Sequence, residues 1–157
     1  MSEMRVVGVR VELPANQPIL LLRETEGERY LPIWIGPNEA TAIAFAQQGM
    51  VPQRPLTHDL LAHILRALGA RVERAIINDL KRGTYFARLI LNAENELQQK
   101  KIVEIDARPS DCIAMATQQT APIYVSREVW EEVEDMSDVL RKMEEESSQS
   151  EETDEEE

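Results

Sequence analysis

Arg71-Val-Glu-Arg-Ala-Ile-Ile-Asn-Asp-Leu80, the turn Lys81-Arg82-Gly83 and Thr84-Tyr-Phe-Ala-Arg-Leu-Ile-Leu-Asn92 read together as a β-hairpin. Both arms are rich in β-branched, aromatic and aliphatic residues, neither contains proline, and the turn carries a glycine where a tight reversal favours positive φ. Asn95 turns the chain again, and Lys100 to Ala107 follows as a further strand with Val103 and Ile105 on its inner face. On the N-terminal side of the hairpin, Thr57 caps a helix whose Leu60, Leu61, Ile64, Leu65 and Leu68 form an apolar stripe, and Gly69 closes it. A period of 2 beside a period near 3.6 indicates strands and helices sharing one core.

The rest of the chain extends this pattern. Arg5 to Leu13 alternates, with Val7, Val9 and Val11 on one side and Val6, Gly8 and Arg10 on the other. Pro14-Ala15-Asn16-Gln17-Pro18 breaks that strand. Ile19 to Arg23 and Tyr30 to Ile35 are two more, and Pro32 restricts the latter to an edge or a bulge because it has no N–H. Gly36-Pro37-Asn38-Glu39 starts a helix, with proline where its missing N–H costs nothing and Glu39 at the positive end of the helix dipole. Ala40, Ile43, Ala44 and Gln47 share one face, and Gly49 ends the helix. Met50 to Leu56 is a loop, Pro109-Ser110 opens a short helix over Asp111 to Gln118, and Pro122 to Val125 is a last short strand. The predicted fold is α+β: a mixed or antiparallel sheet with three short packing helices, plus a C-terminal helix and a disordered acidic tail.

The C-terminal helix opens at Ser126 or Arg127. Its Val129, Val133, Met136, Leu140 and Met143 have heptad spacing over about two heptads, which suits either a helix folded onto its own domain or an oligomerisation helix. From Glu144 to Glu157 no apolar residue occurs, and the composition predicts disorder. The expected organisation is therefore a domain over 1–130, an amphipathic helix over 131–143 and an acidic tail over 144–157.

The net charge of −12 is concentrated at the C-terminus. Glu128 to Glu157 holds 15 acids against Arg141 and Lys142, leaving 14 acids and 15 bases before it, so the body is close to neutral. A polyanionic tail of this kind either solubilises the protein or occupies a basic groove in place of nucleic acid. Cys112 is the only cysteine, which excludes an intrachain disulfide. It sits in the apolar run Cys112-Ile113-Ala114-Met115-Ala116 with no base adjacent in sequence, as a buried small hydrophobe does. The N-terminus lacks a signal-peptide apolar region and no apolar run reaches the ~18 residues of a membrane span, so the expected compartment is the cytoplasm and no membrane partner is expected.

No P-loop, dinucleotide fingerprint, zincin helix or nucleophile elbow is present. His58 and His63 lie five residues apart, roughly 140° around a helix, and cannot ligate one metal from a shared face. Three polar clusters remain: Gly36-Pro37-Asn38-Glu39, Arg54-Pro55-Leu56-Thr57-His58-Asp59 and Asp106-Ala107-Arg108-Pro109-Ser110-Asp111. Each stands at a helix start, where unpaired N–H groups and the dipole suit an anion. Each also has a structural explanation: Thr57 and Ser110 as caps, Glu39, Asp59 and Asp111 as dipole complements, and Arg108 as a partner of Asp111 or Asp59. If the three converge, carboxylates, a histidine and two arginines meet, the set that phosphodiester hydrolysis requires. Asp79 is a further candidate carboxylate, and Arg71, Arg74, Lys81, Arg82 and Arg88 a candidate basic path.

At these same residues the chain resembles the bifunctional nuclease domain family. The resemblance is carried by Leu31-Pro-Ile-Trp-Ile-Gly-Pro-Asn-Glu-Ala40, Arg54-Pro-Leu-Thr-His-Asp-Leu60, Gly83-Thr-Tyr-Phe-Ala87, Asp106-Ala-Arg-Pro-Ser-Asp111 with Ile113-Ala114, and Pro122-Ile-Tyr-Val125. It covers about residues 5–130 in order; Asn38 and Cys112 are small departures that touch no candidate charge. The resemblance implies an α+β fold, a homo-oligomer and cleavage of both RNA and DNA. It also implies Glu39, Arg54, His58, Asp59, Asp106, Arg108 and Asp111 as site residues.

Within that set the chemistry suggests roles. His58, Asp59, Asp111 and Glu39 are the candidate catalytic residues, with His58 as general acid or base, and Arg54 and Arg108 hold phosphates. Asp59, Asp111 and Asp106 are candidate ligands of a divalent metal, with Glu39 a further possibility; Mg²⁺ or Mn²⁺ suits oxygen donors. The competing reading is a non-catalytic oligomeric binding or regulatory module that uses the same clusters for anion or subunit contacts. The near-neutral body favours it, since nucleic-acid binders usually show a basic face.

Overall fold

The turn of the central hairpin is two residues long. Lys81 pairs with Thr84, and Arg82 (φ 51°) and Gly83 (φ 78°) between them both adopt positive φ, the geometry whose twist matches that of the flanking strands. The computed structural model describes residues 1–12 and 16–134. In chain order the elements are β1 (Ser2–Glu12), β2 (Gln17–Glu24), β3 (Tyr30–Trp34), α1 (Pro37–Gln48), α2 (Thr57–Ala67), β4 (Ala70–Lys81), β5 (Thr84–Glu94), β6 (Lys100–Ala107), α3 (Pro109–Gln118) and β7 (Ile123–Val125). Helical residues 127–134 follow. The heptad positions from Met136 onward, the acidic tail and Leu13 to Ala15 of the first expected break lie outside the described residues.

The strands form one seven-stranded sheet in the order β3-β2-β1-β7-β4-β5-β6. It consists of two antiparallel meanders, β1–β3 and β4–β6, joined by the three-residue β7, which pairs antiparallel with β1 and parallel with β4. The α+β architecture with a mixed sheet is as the sequence predicts. Pro32 lies on β3, an edge strand, where its missing N–H costs no ladder bond.

The core is aliphatic. Leu20, Leu22, Leu31, Ile43, Ile77, Ile113, Val125 and Val129 are completely buried. α3 lies deepest, with Cys112 to Ala116 all buried. Its small Cys112, Ala114 and Ala116 let it pack closely, and its most extensive helix contact is with α1. Gly69, at φ 77°, ends the α2 region where its carbonyl accepts the Glu94 N–H at 2.8 Å; a Cβ here would collide with the Glu94 backbone oxygen.

Four local expectations need correction. A bulge between Val6 and Gly8 resets the alternation of β1, so Val6 and Val9 pack against the core while Val7 is exposed. Thr57 and Ser110 are not caps. Leu56 and Arg108 hold the N-cap positions, with extended backbone and no side-chain cap bond, because Thr57 and Pro109 are already helical. Ile105 does lie on the helix-facing side of β6, but β6 is an edge strand without full cover, and Ile105 remains 40% exposed. Of the α2 stripe only Leu65 packs against the core: Leu60, Leu61, Ile64 and Leu68 are exposed, and α2 turns His58 and Ala62 inward beside Leu65.

Candidate functional site

The three helix starts converge. Glu39 projects from the first turn of α1, His58 and Asp59 from that of α2, and Arg108 and Asp111 from the N-cap and first turn of α3. His58 Nε2 lies 2.9 Å from Asp111 Oδ1. Arg108 donates from Nε to Asp111 Oδ2 at 3.0 Å and from Nη2 to Glu39 Oε1 at 2.7 Å, and the same Nη2 is 2.9 Å from Asp111 Oδ2. One guanidinium therefore bridges two carboxylates, one of which also holds an imidazole.

The cluster combines a buried half and an open half. His58 is 7% exposed, whereas the Arg108 side chain is 67% exposed. Its hydrogen bonds to Glu39 and then Asp111 push the Arg108 pKa above its ordinary value, so its charge is permanent. A carboxylate can only accept, so Nε2 of His58 donates in this pair and Nδ1 is the ring nitrogen that Asp111 leaves free. His58 lines two grooves. One, of about 870 Å³, runs between α2 and the sheet and is also lined by Glu39, Arg108, Asp111, Ile64 and Leu89. The other lies between α1 and α2 and includes Asp59.

Other candidates fall outside this cluster. Asp59 turns back on its own helix: Oδ2 accepts the Leu56 N–H at 2.8 Å and Oδ1 accepts from Gln118 Nε2 at 3.0 Å. Arg108 is thus paired with Glu39 and Asp111 and not with Asp59. Asp106 faces away, because strand alternation puts it opposite Arg88 while Ile105 and Ala107 face the helices. Asp59, Asp106 and Asp111 accordingly do not gather around one ion, and among the described residues no group of three or more His, Cys, Asp or Glu is placed to hold a metal. Arg54 is exposed in the loop before α2 and does not line the groove. Asp79 bonds the Leu80 N–H and pairs with Lys81 near the hairpin turn. The basic path is largely neutralised, since Arg74, Lys81 and Arg88 pair with Glu73, Asp79 and Glu104.

One pair of carboxylates fits an ion nonetheless. The Glu39 and Asp111 oxygens both approach the single position now filled by Arg108 Nη2, so they converge where a cation is stabilised. Mg²⁺ typically uses one or two carboxylates and completes its shell with water and substrate phosphates, and this donor set matches that habit.

Cys112, next to Asp111, is fully buried, and burial followed by the charges of Asp111 and Asp106 pushes its thiol up to about 12. It is the inert core residue expected. Gln118 was not legible as a site neighbour: it lies at the far end of α3 from Asp111 and reaches Asp59 only because α2 crosses that end.

The chain belongs to the bifunctional nuclease domain family: residues 20–137 match that domain. An uncharacterised protein of Mycobacterium tuberculosis is 51% identical over 129 residues, covering 82% of this chain and 74% of that protein. Bifunctional nuclease 1 of Oryza sativa subsp. japonica is 24% identical over 125 residues, and bifunctional nuclease 2 of the same plant is 27% identical over 121. These alignments cover 80% and 76% of this chain but only 37% of each rice protein. No helix among the described residues is long and apolar enough to cross a membrane.

Proposed function

We propose that the protein is a nuclease that hydrolyses phosphodiester bonds of RNA and DNA, with His58, Asp111, Arg108 and Glu39 as its site. The observation that carries this reading is the 2.9 Å His58–Asp111 pair beside a guanidinium open to a groove. Asp111 orients the imidazole and fixes its proton on Nε2, so Nδ1 is free to take a proton from water. The water oxygen attacks phosphorus as its proton passes to Nδ1, the P–O bond to the leaving oxygen breaks, and the leaving oxygen takes up a proton from solvent water. Arg108, already cationic and exposed, turns from the carboxylates to the non-bridging phosphate oxygens and opposes the charge that develops there.

Charge balance supports an added cation. Glu39 and Asp111 outnumber Arg108 by one charge, an unfavourable balance for a phosphodiester. Mg²⁺ or Mn²⁺ held by Glu39 and Asp111 would neutralise that charge and polarise the phosphate.

We also propose a homo-oligomer assembled through α2. Leu60, Leu61, Ile64 and Leu68 are 54%, 43%, 45% and 74% exposed, and an apolar stripe of this kind marks a contact surface. One observation favours the alternative, a non-catalytic oligomeric module: Arg108, Glu39 and Asp111 already satisfy one another, as a structural network does.

The deciding experiment uses highly purified protein, labelled single-stranded RNA and DNA, and Mg²⁺, Mn²⁺ or EDTA, with His58→Ala alongside. Cleavage that follows the protein through the last column and disappears in the folded variant supports the nuclease. Cleavage absent from the wild type, or equal in both proteins, supports the module.

A further inference from the structure

The opposite side of the β1–β3 meander from the core carries an unassigned surface. On β3, Leu31 and Ile33 are buried, while Tyr30, Pro32 and Trp34 are exposed on the other face. Register places Tyr30 beside Arg23, which is beside Arg5, in one cross-strand row, and Trp34 beside Ile19, which is beside Arg10, in another. Tyr30 is 47% and Trp34 55% exposed, and the Arg23 guanidinium carbon lies 5.4 Å from the Tyr30 ring centroid. Along β1, Glu3 is the acid nearest to Arg5 on this face, at the strand's start.

We infer that this face is a stacking platform for single-stranded nucleic acid. The inference rests on the nucleic-acid reading above and adds a surface to it. Exposed aromatic rings accept bases regardless of sequence, and arginines beside them meet the phosphates and stack on bases as well. Three arginines, Arg5, Arg10 and Arg23, share this face with the two aromatic rings, Arg23 directly against Tyr30 and Arg10 separated from Trp34 by Ile19, and this positive charge favours a polyanion with flat bases over an apolar partner. Tyr30 and Trp34 are four residues apart on one strand, roughly 13 Å, the span of a short run of extended nucleotides. Trp34 also stands at the end of β3 from which the chain passes into α1, five residues before Glu39. Duplex would not use this face, because its bases are already stacked on each other.

The test is binding of labelled oligothymidylate and oligouridylate by the full chain in EDTA, read by anisotropy and by tryptophan emission. Trp34 is open and Trp130 is 5% exposed, so quenching on binding reports Trp34. Trp34→Ala and Tyr30→Ala should each weaken binding about ten-fold or more, and Trp34→Phe should restore most of it. Arg5→Gln and Arg10→Gln should each lower the salt dependence of log K by about one. Binding without quenching and unchanged by Trp34→Ala overturns this face and leaves the catalytic reading standing. No binding in EDTA also overturns the face, while cleavage lost in His58→Ala judges the nuclease separately. A smaller assembly for Trp34→Ala at unchanged affinity would reassign the face to contact between copies and overturn the inference.

Discussion

Asp111→Asn separates the structural from the chemical role of the site. The amide is nearly isosteric, so Oδ1 can still accept from His58 Nε2, now across a neutral bond in place of the charge-assisted one at 2.9 Å. That weakening is worth about 1 kcal/mol. Where Oδ2 stood, an NH₂ group now faces the Nε and Nη2 donors of Arg108, and both contacts are lost. Because the Arg108 side chain is 67% exposed, water screens that pair and its loss costs only about 0.5–1 kcal/mol. The sum, about 1.5–2 kcal/mol, should lower the melting temperature by roughly 5 °C for a domain of this size. Asp111→Ala should cost somewhat more, because it leaves His58 buried without its partner. Catalysis should respond far more strongly: with the carboxylate charge gone, the imidazolium that forms when Nδ1 takes the proton from water is no longer stabilised, and cleavage should fall about 10²- to 10⁴-fold. Differential scanning fluorimetry and initial rates on 5′-labelled RNA and DNA measure the two effects on one sample. A folded Asp111→Asn protein retaining a third or more of wild-type cleavage would refute the role given to the His58–Asp111 pair.

Two further predictions follow from burial. Leu61→Glu with Ile64→Glu should leave the fold and melting transition largely intact, because both positions are exposed, but should reduce the mass measured by light scattering to that of one chain. Cys112 should resist a thiol reagent at pH 8 until denaturant is added. Its folded pKa lies above the unfolded value, so the native state holds the proton longer, and stability should fall between about pH 9 and about 12. The slope should approach 1.4 kcal/mol per pH unit at most, and urea titrations of Cys112→Ala should show a shallower alkaline decline.

Much of the architecture was legible because it is written locally. Pro37 and Pro109 mark helix starts by their missing N–H, Gly49 and Gly69 mark ends by their left-handed backbone, and Arg82-Gly83 fixes the hairpin turn. The three polar clusters were visible for the same reason, since helix starts carry recognisable chemistry. What periodicity could not supply was the identity of the surface opposite each face. The α2 stripe has the pattern of a core helix, and nothing in a single chain distinguishes burial against the sheet from burial against another molecule. The direction of side chains also failed to follow from sequence at two aspartates. Asp59 lies at the third helical position, near enough to take the Leu56 N–H for itself. Asp106 was decided by parity, one residue out of phase with Ile105 and Ala107. In β1 the Val7 bulge defeated a parity argument that a regular strand would have supported.

The place of β7 in the sheet has a consequence for how the protein is made. Each meander pairs neighbours in sequence and can assemble as soon as its own residues are available. Among the described residues, the hydrogen-bond ladders of the two halves are joined through Ile123 to Val125, which pairs with Ser2 to Met4 on one side and Ala75 to Ile77 on the other. The first strand must therefore wait for almost the whole folded segment to leave the ribosome before its inner edge is covered. Such long-range pairing is slow and leaves strand edges open in the interim. From this topology, closure of the sheet is expected to be the late step of folding, and the interval before it the one in which the nascent chain is most exposed to pairing with the wrong strand.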